Sequence, residues 1–177
     1  MTSDTDHSTE IAVAIEADGW TSTLSDPAAL VARAARAAFA GACPGAPAAT
    51  ISLLLTDDQT VQAINKTWRG LDYPTNVLSF PATRTRAGTN PQPEFEGVPL
   101  ELGDVALGFE TCAREAAAAD RPLGHHVEHL VVHGVLHLLG WDHGEEAEAD
   151  RMEELETRIL AGLGLPDPYA PERLDDG

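Results

Sequence analysis

The segment His129–His143 constrains the fold most, because it combines an apolar helix with an abrupt helix stop. Its sequence, HLVVHGVLHLLGWDH, is apolar on every side apart from the histidines, and Gly140 follows the last pair of leucines. A helix that is apolar all round is buried, and a glycine just past the last turn is a common helix end. We therefore predict a buried helix over His125–Leu139, followed by a reversal of the chain.

Three histidines in this segment have the spacing of a metal site. Residues four apart share a helical face about 6 Å apart along the axis, so His133 and His137 can reach one ion. His129 lies about 12 Å from His137 along that axis, too far to share the ion. The third ligand must follow the reversal, where His143 lies. Three neutral histidines leave one tetrahedral position free, as in catalytic zinc sites. We predict one Zn²⁺ per chain on His133, His137 and His143, used for hydrolysis.

The same spacing occurs in metzincin proteases, which leaves a zinc peptidase as an alternative. Those enzymes carry a glutamate directly after the first histidine, where it acts as general base. Here that position is Gly134, which cannot accept a proton from water. The peptidase interpretation therefore lacks its central residue.

Two other kinds of residue could support the histidine ligands. Asp142 either orients a histidine as a carboxylate partner or caps the start of the next helix, and the sequence leaves both open. His126 and His129 lie on roughly one helical face. We interpret them as ordinary packed or solvated histidines, with the alternative that they support the metal ligands from behind.

Arg69 lies in a second informative segment, WRGLDYPTNVLSF. An arginine is always charged and its guanidinium forks onto phosphate oxygens. Near a zinc site it could hold a phosphodiester and stabilise the charge that develops during transfer. The alternative is a structural arginine paired with Asp72 in the turn, and the turn by itself favours this alternative.

Charge is distributed unevenly along the chain. The net charge is −18, from 29 acidic and 11 basic residues, and such a surface repels nucleic acid on average. From Asp57 to Asn90 four basic residues face three acidic ones, whereas Gly144 to Gly177 contains eleven acidic and three basic residues. A phosphate-binding face would therefore have to lie on the middle segment.

The termini and cysteines indicate a cytoplasmic protein without a membrane segment. The first ten residues, MTSDTDHSTE, lack the basic and apolar regions of a signal peptide. The apolar run Leu130–Leu139 is too short and too polar to span a bilayer. Cys43 and Cys112 are too few for a disulfide framework.

Apolar periodicity and turn residues predict the order β-α-β-α-β-β-α-α-α, an α+β fold of one sheet layered with helices. Thr56, with Gln59 three residues on, is predicted to cap the second helix as a capping box. The predicted strands are Ile11–Ile15, Thr50–Leu55, Asn76–Phe80 and Gly103–Phe109, and the other predicted helices are Ala28–Ala42, Glu110–Asp120, His125–Leu139 and Glu145–Leu163. We expect a flexible tail at 1–9, a single domain at 10–165, and a C-terminal tail at 166–177.

The motifs together resemble the YbeY family of bacterial zinc-dependent endoribonucleases. The resemblance is carried by WRGLDYPTNVLSFP (68–81), LGDVAL (102–107), HLVVHGVLHLLGWDH (129–143) and EEAEADRMEELETRIL with GLPDPY, and it spans 51–169. The segment before Ala48, the irregular loop at 84–97 and the strong acidity depart from the family pattern.

The resemblance implies a fold, a site and a function. The fold is a small mixed sheet of about four strands covered by helices, with zinc in a cleft. The family's ligands fall on His133, His137 and His143, and its functionally important arginine on Arg69. The substrate is single-stranded RNA, notably the 3′ end of 16S ribosomal RNA, and the partners are the small ribosomal subunit and its assembly factors, with no DNA. The alternative is a ribosome-assembly binding factor with a structural zinc.

Overall fold

The structure is a computed structural model, and it describes residues 9–170. The expected tail at 1–9, apart from Thr9, and the last seven residues of the expected C-terminal tail lie outside this range. The described chain contains β1 (Glu10–Ile15), α1 (Asp18–Thr23), α2 (Pro27–Ala42), β2 (Ala49–Thr56), α3 (Asp58–Arg69), β3 (Val77–Pro81), β4 (Leu100–Gly108), α4 (Phe109–Ala118), α5 (Leu123–Leu138) and α6 (Glu146–Gly162).

The four strands form one mixed sheet in the order β1-β2-β4-β3. β1, β2 and β4 run parallel, and β3 is an antiparallel edge strand on β4. Successive side chains of β4 point to opposite faces of the sheet. Val105 and Leu107 belong to the large core under the helices, whereas Ala106 belongs to the small cluster on the other face. The predicted α+β fold with a small mixed sheet is confirmed.

The helix α5 is the centre of the core, as its sequence predicts. It begins at Leu123, two residues before the predicted start, and buries apolar residues on all sides. Its end is a Schellman motif, in which Trp141 N donates to Leu136 O and Gly140 N donates to His137 O. Gly140 has a φ of +91°, and a Cβ there would lie 2.0 Å from Thr85 O. The chain reversal therefore requires glycine.

Helix α3 begins differently from the predicted capping box. Thr56 continues the ladder of β2 opposite Gly108, and its carbonyl accepts the indole N–H of Trp20 at 2.9 Å. Asp57 is the N-cap instead, and its Oδ1 accepts from Thr60 N at 2.7 Å. The Thr56 prediction was wrong because the strand pairing extends one residue further than the sequence pattern indicated.

Two other elements differ from the sequence prediction. The short helix α1 was not expected, and its Trp20 is fully buried against Phe109 with ring centroids 5.2 Å apart. β4 begins at Leu100, three residues before the predicted start, and Phe109 already belongs to α4. Within residues 9–170 no helix has the length and apolarity needed to cross a bilayer.

Candidate metal centre

The fold brings the three predicted histidines together at the C-terminal end of α5. His133 and His137 lie one turn apart on the helix, and His143 returns to them from the turn after Gly140. One ring nitrogen from each histidine lies within 4.8 Å of the others. The ring centroids are 4.5 Å apart for His133 and His137, 5.2 Å for His137 and His143, and 5.6 Å for His133 and His143. This cluster can hold one metal ion.

The protonation of the cluster suits a cation. Burial, and then the nearby His133 and His143, lower the pKa of His137 to about 4, so its ring is neutral at pH 7 and offers a lone pair. The Nε2 atoms of His133 and His137 face each other at 2.9 Å. Two imidazole nitrogens this close need a shared proton or cation between them. The donor set therefore fits a metal that accepts imidazole ligands.

Glu156 on α6 is the residue that orients His133, and the sequence patterns did not indicate it. Its side chain is 0% exposed, and its Oε1 accepts from His133 Nδ1 at 2.5 Å. Its other oxygen accepts from His129 Nε2 at 3.1 Å and from the hydroxyl of Tyr169. A carboxylate only accepts, so the proton of His133 stays on Nδ1 and Nε2 faces the cluster.

The same contacts keep Glu156 ionised. Burial opposes ionisation, but the hydrogen bonds from His129, His133 and Tyr169 outweigh it and hold the pKa of Glu156 at about 2. The sequence contained one signal for this role. Glu156 lies on the face of α6 that buries Met152, Leu155 and Ile159, and a glutamate is rarely buried unless it is paired.

The other three histidines of α5, His125, His126 and His129, are not part of the cluster. His129 reaches it only indirectly, by sharing the carboxylate of Glu156 with His133. This contact favours the alternative in which His129 supports a ligand over the interpretation of His129 as an ordinary packed residue. His126 contacts Glu115 instead, with 3.4 Å between Nε2 and Oε1.

Arg69 lines the same cavity as the three histidines. This cavity, of about 830 Å³, is named the histidine cleft here. Its walls come from the end of α3, the strand β3 and the turn after α5, and they include Arg69, Asn76, Ser79, His133, His137, Asp142 and His143. Among these wall residues Arg69 is the one permanent cation.

The pairing of Arg69 with Asp72, which the turn by itself favoured, does not form, so that prediction was wrong. Asp72 instead accepts from Gln62 Nε2 at 3.0 Å and lies 3.7 Å from Lys66 Nζ. In the described part of the chain the side chain of Arg69, exposed at the last position of α3, makes no hydrogen bond or ion pair. Its guanidinium is therefore available to a ligand in the histidine cleft.

Asp142 hydrogen-bonds locally beside the cluster. Its Oδ1 accepts from the backbone N–H of His143 at 2.8 Å. This hydrogen bond stabilises the turn that carries His143. The N-cap of α6 is Glu145. The alternative that Asp142 caps this helix was therefore wrong, and its role as an orienting carboxylate stays a prediction.

Gly134 is a packing residue, which removes the space that a peptidase base would need. A Cβ at this position would lie 2.8 Å from Val105 Cγ1 and 3.2 Å from both Ser79 Oγ and Val77 Cγ2. Ser79 also donates to Gly134 O at 2.9 Å, which fixes α5 against β3. A glutamate after His133 cannot be accommodated without moving the helix off the sheet.

Comparison with known proteins agrees with this architecture. The family model described as Endoribonuclease YbeY matches residues 18–164, a span that contains Arg69 and the three clustered histidines. A likeness in fold alone exists to a Thermotoga maritima protein solved in solution. Its TM-score is 0.51 at 16% identity, covering 86% of this chain and 91% of that one.

Curated relatives named Endoribonuclease YbeY match nearly the whole chain. The Azorhizobium caulinodans protein is 49% identical over 162 residues, covering 91% of this chain and 96% of its own. The Paramagnetospirillum magneticum protein is 47% identical over 163 residues, covering 92% and 97%. The Bradyrhizobium sp. protein is 53% identical over 128 residues, covering 72% and 73%. The family model and these relatives show that the chain belongs to the endoribonuclease YbeY family.

Proposed function

We propose that this protein is a single-strand-specific, zinc-dependent endoribonuclease that matures the 3′ end of 16S ribosomal RNA. The observation that carries the proposal is the meeting of Arg69 and the three-histidine cluster in one cleft. Zinc suits three imidazoles with an open fourth position. A zinc ion held there would supply Lewis-acid chemistry, polarising the scissile phosphate and acidifying water.

The protein's own residues bind and orient the RNA around that site. Arg69 donates two parallel hydrogen bonds to non-bridging oxygens of the phosphodiester and offsets charge in the transition state. Glu156 keeps the His133 ring in one tautomer and orientation. Unpaired RNA is the expected substrate because splayed nucleotides present both phosphate and base to a cleft.

The acidity of the chain supports action on ribosomal particles. A net charge of −18 opposes the approach of free RNA. The small ribosomal subunit and its assembly factors would deliver the RNA end to the cleft, and DNA is not an expected substrate. Both cysteines are free and buried, which suits the cytoplasm. We assign the activity to one domain at 10–165, with the segment after it anchored at Tyr169.

The test measures metal content and RNA cleavage on one preparation. Wild type, His137→Ala and the control His125→Ala would be compared on a fragment spanning the 3′ end of 16S ribosomal RNA. His125 lies on the same helix but is exposed and outside the cluster. We expect one zinc and cleavage in wild type and His125→Ala, and loss of both in His137→Ala. Wild type without zinc under metal-replete conditions would contradict the proposed site.

A binding role with a structural zinc is the second candidate, favoured by the same acidity. It predicts that a variant retaining zinc and fold but lacking cleavage still supports ribosome maturation in cells. Arg69→Ala is that variant, because the Arg69 side chain is exposed and, within residues 9–170, makes no hydrogen bond or ion pair. Failure of this variant to support maturation would favour the nuclease.

A further inference from the structure

Of the aromatic side chains that line the histidine cleft, two have no role in the chemistry and also line a second cavity. Trp68, in the last turn of α3 directly before Arg69, is 74% exposed. Phe80, on the edge strand β3, is half-buried. Both line the histidine cleft, and both also line a second cavity on the far side of α3. They therefore form a boundary shared by the two cavities.

The second cavity, named the sheet groove here, is an apolar recess of about 560 Å³. It lies on the face of the sheet that α2 and α5 do not cover, beside the small cluster of Val61, Leu78 and Ala106 under α3. Small side chains on its floor leave the recess open between β1 and α3. Its other lining residues include Ala12, Ser52, Leu54, Ile64 and Asp104.

The chemistry of the sheet groove matches a nucleobase. Its walls are apolar with few polar groups, the usual composition of a small-molecule site. An exposed tryptophan stacks any base, because every base presents a π-face. Asp104 and Ser52 supply acceptors for the amino or imino edge of a base.

The charges of the two cavities favour a phosphate in the histidine cleft and an uncharged base in the sheet groove. Arg69 in the histidine cleft attracts phosphate, whereas Asp104 in the sheet groove repels it. Trp68 and Arg69 are consecutive at the end of α3 and both line the histidine cleft, so a base stacked on the indole belongs to a nucleotide adjacent to the one whose phosphate meets Arg69. Trp68 and Phe80 line both the apolar groove and the histidine cleft, so a base placed against them in the groove lies beside the cleft that holds the phosphate.

We propose that Trp68 and the sheet groove form a stacking site for one unpaired base of the RNA, adjacent to the nucleotide held by Arg69. This inference rests on the proposed endoribonuclease function. Stacking contributes affinity that does not depend on positive charge. The site would thus help a strongly acidic protein to retain RNA.

The test is single-turnover cleavage of short single-stranded RNA by the zinc-loaded enzyme in excess. The enzyme concentration at half-maximal rate reports binding, and the maximal rate reports the chemical step. Trp68→Ala should raise the half-saturating concentration about 5- to 100-fold with little change in maximal rate, the range expected for one stacked base. Trp68→Phe should recover much of the loss. Phe95→Ala is the matched control, because Phe95 is 67% exposed and lines neither cavity.

An abasic substitution scanned along the RNA tests the contact itself. At one position, loss of the base should weaken binding to wild type but not to Trp68→Ala, since the two changes remove the same contact. Equal penalties in both proteins, or unchanged binding by Trp68→Ala, would overturn the stacking site while wild-type cleavage still supported the nuclease. Unchanged RNA binding with lost association to ribosomal particles would also overturn it and identify a protein-docking face. A wild type that neither binds nor cleaves RNA would remove both proposals.

Discussion

At the residue scale, the least expected feature is the carboxylate of Glu156 behind His133. It lies 23 residues from His133 in sequence, is fully buried, and receives hydrogen bonds from three side chains. Removing an outer hydrogen-bond partner of a metal ligand commonly weakens metal binding, because the ring loses its orientation and tautomer. The candidate centre therefore extends beyond its ligands into α6 and the segment that carries Tyr169.

Replacing Glu156 with glutamine tests this support. Glutamine has nearly the same shape, but its amide can no longer accept from all three donors as a carboxylate does. We expect zinc affinity to fall about 10- to 100-fold, measured by competition with a chromophoric chelator. Glu154→Gln, on the exposed face of α6, should leave affinity unchanged. Equal affinity of Glu156→Gln and wild type would show that the hydrogen bond to His133 does not matter for the metal.

A substitution at Arg69 tests whether this residue acts on cleavage without acting on zinc binding. Arg69→Ala should lower cleavage about 100- to 1000-fold, the usual loss when one preorganised donor to developing charge is removed. Its zinc content should stay at the wild-type value. Arg69→Lys should recover only part of the activity, since an ammonium lacks the planar fork. Arg84→Ala, outside the histidine cleft, is the control, and normal cleavage by Arg69→Ala would exclude the role assigned here.

At the element scale, the position of the ligands depends on how closely α5 approaches the sheet. Gly134 removes the side chain that would separate the helix from Val105, and Ser79 binds the helix carbonyl directly. The end of α5 is equally specific, because Gly140 adopts a backbone conformation that other residues rarely adopt and leaves room for Thr85. Both glycines act on the site by positioning the elements that carry the histidines.

Alanine at Gly134 should destabilise the protein even though alanine favours helices. Its Cβ would meet Val105 Cγ1 at 2.8 Å, and overpacking of this kind costs about 1–3 kcal/mol. Gly162→Ala is the control in another helix, because nothing lies within 4 Å of its added Cβ. That change should be neutral or stabilising by up to about 1 kcal/mol. Urea unfolding of the two variants measures the difference, and an equally stable Gly134→Ala would contradict the close approach.

At the scale of the whole molecule, the charge of −18 must coexist with an anionic substrate. The histidine cleft contains one permanent cation, Arg69, and one acidic wall residue, Asp142. The cleft is thus close to neutral, while the acidic excess lies elsewhere on the chain. A protein with this net charge does not attract RNA electrostatically over long distances, so contacts within the cleft have to supply the affinity for RNA.

This charge distribution predicts a weak dependence of RNA binding on salt. Each phosphate contact to single-stranded nucleic acid contributes about −0.7 to the slope of log affinity against log salt concentration. With one arginine in the cleft we expect a slope no steeper than about −1, and Arg69→Ala should make it shallower by about 0.7. The half-saturating concentration measured from 50 to 300 mM potassium chloride, on the order of physiological salt, tests this. A slope of about −3 or steeper would reveal an extended basic surface.

The local sequence by itself determined the helix that carries His133 and His137, the end of that helix, and the spacing of the histidines. The four-residue spacing of His133 and His137, the apolar surroundings and the glycine stop are properties of one helix and its end, so they can be read from neighbouring residues. The strands were also recognisable from their apolar runs, although their ends shifted by up to three residues. The resemblance of several motifs to one family indicated Arg69 as well, because the motif that contains it is contiguous in the chain.

Only the tertiary structure decided which distant residues meet. Glu156 contacts His133 because α6 packs on α5, and Arg69 lines the same cavity as the histidines because α3 ends beside them. Trp68 borders a recess lined by residues of all four strands. Such contacts depend on how elements pack across the sheet, whereas sequence periodicity reports only which face of an element is buried. Asp72 illustrates the limit, since its nearness to Arg69 in sequence predicted a pair that the fold replaced with Lys66 and Gln62.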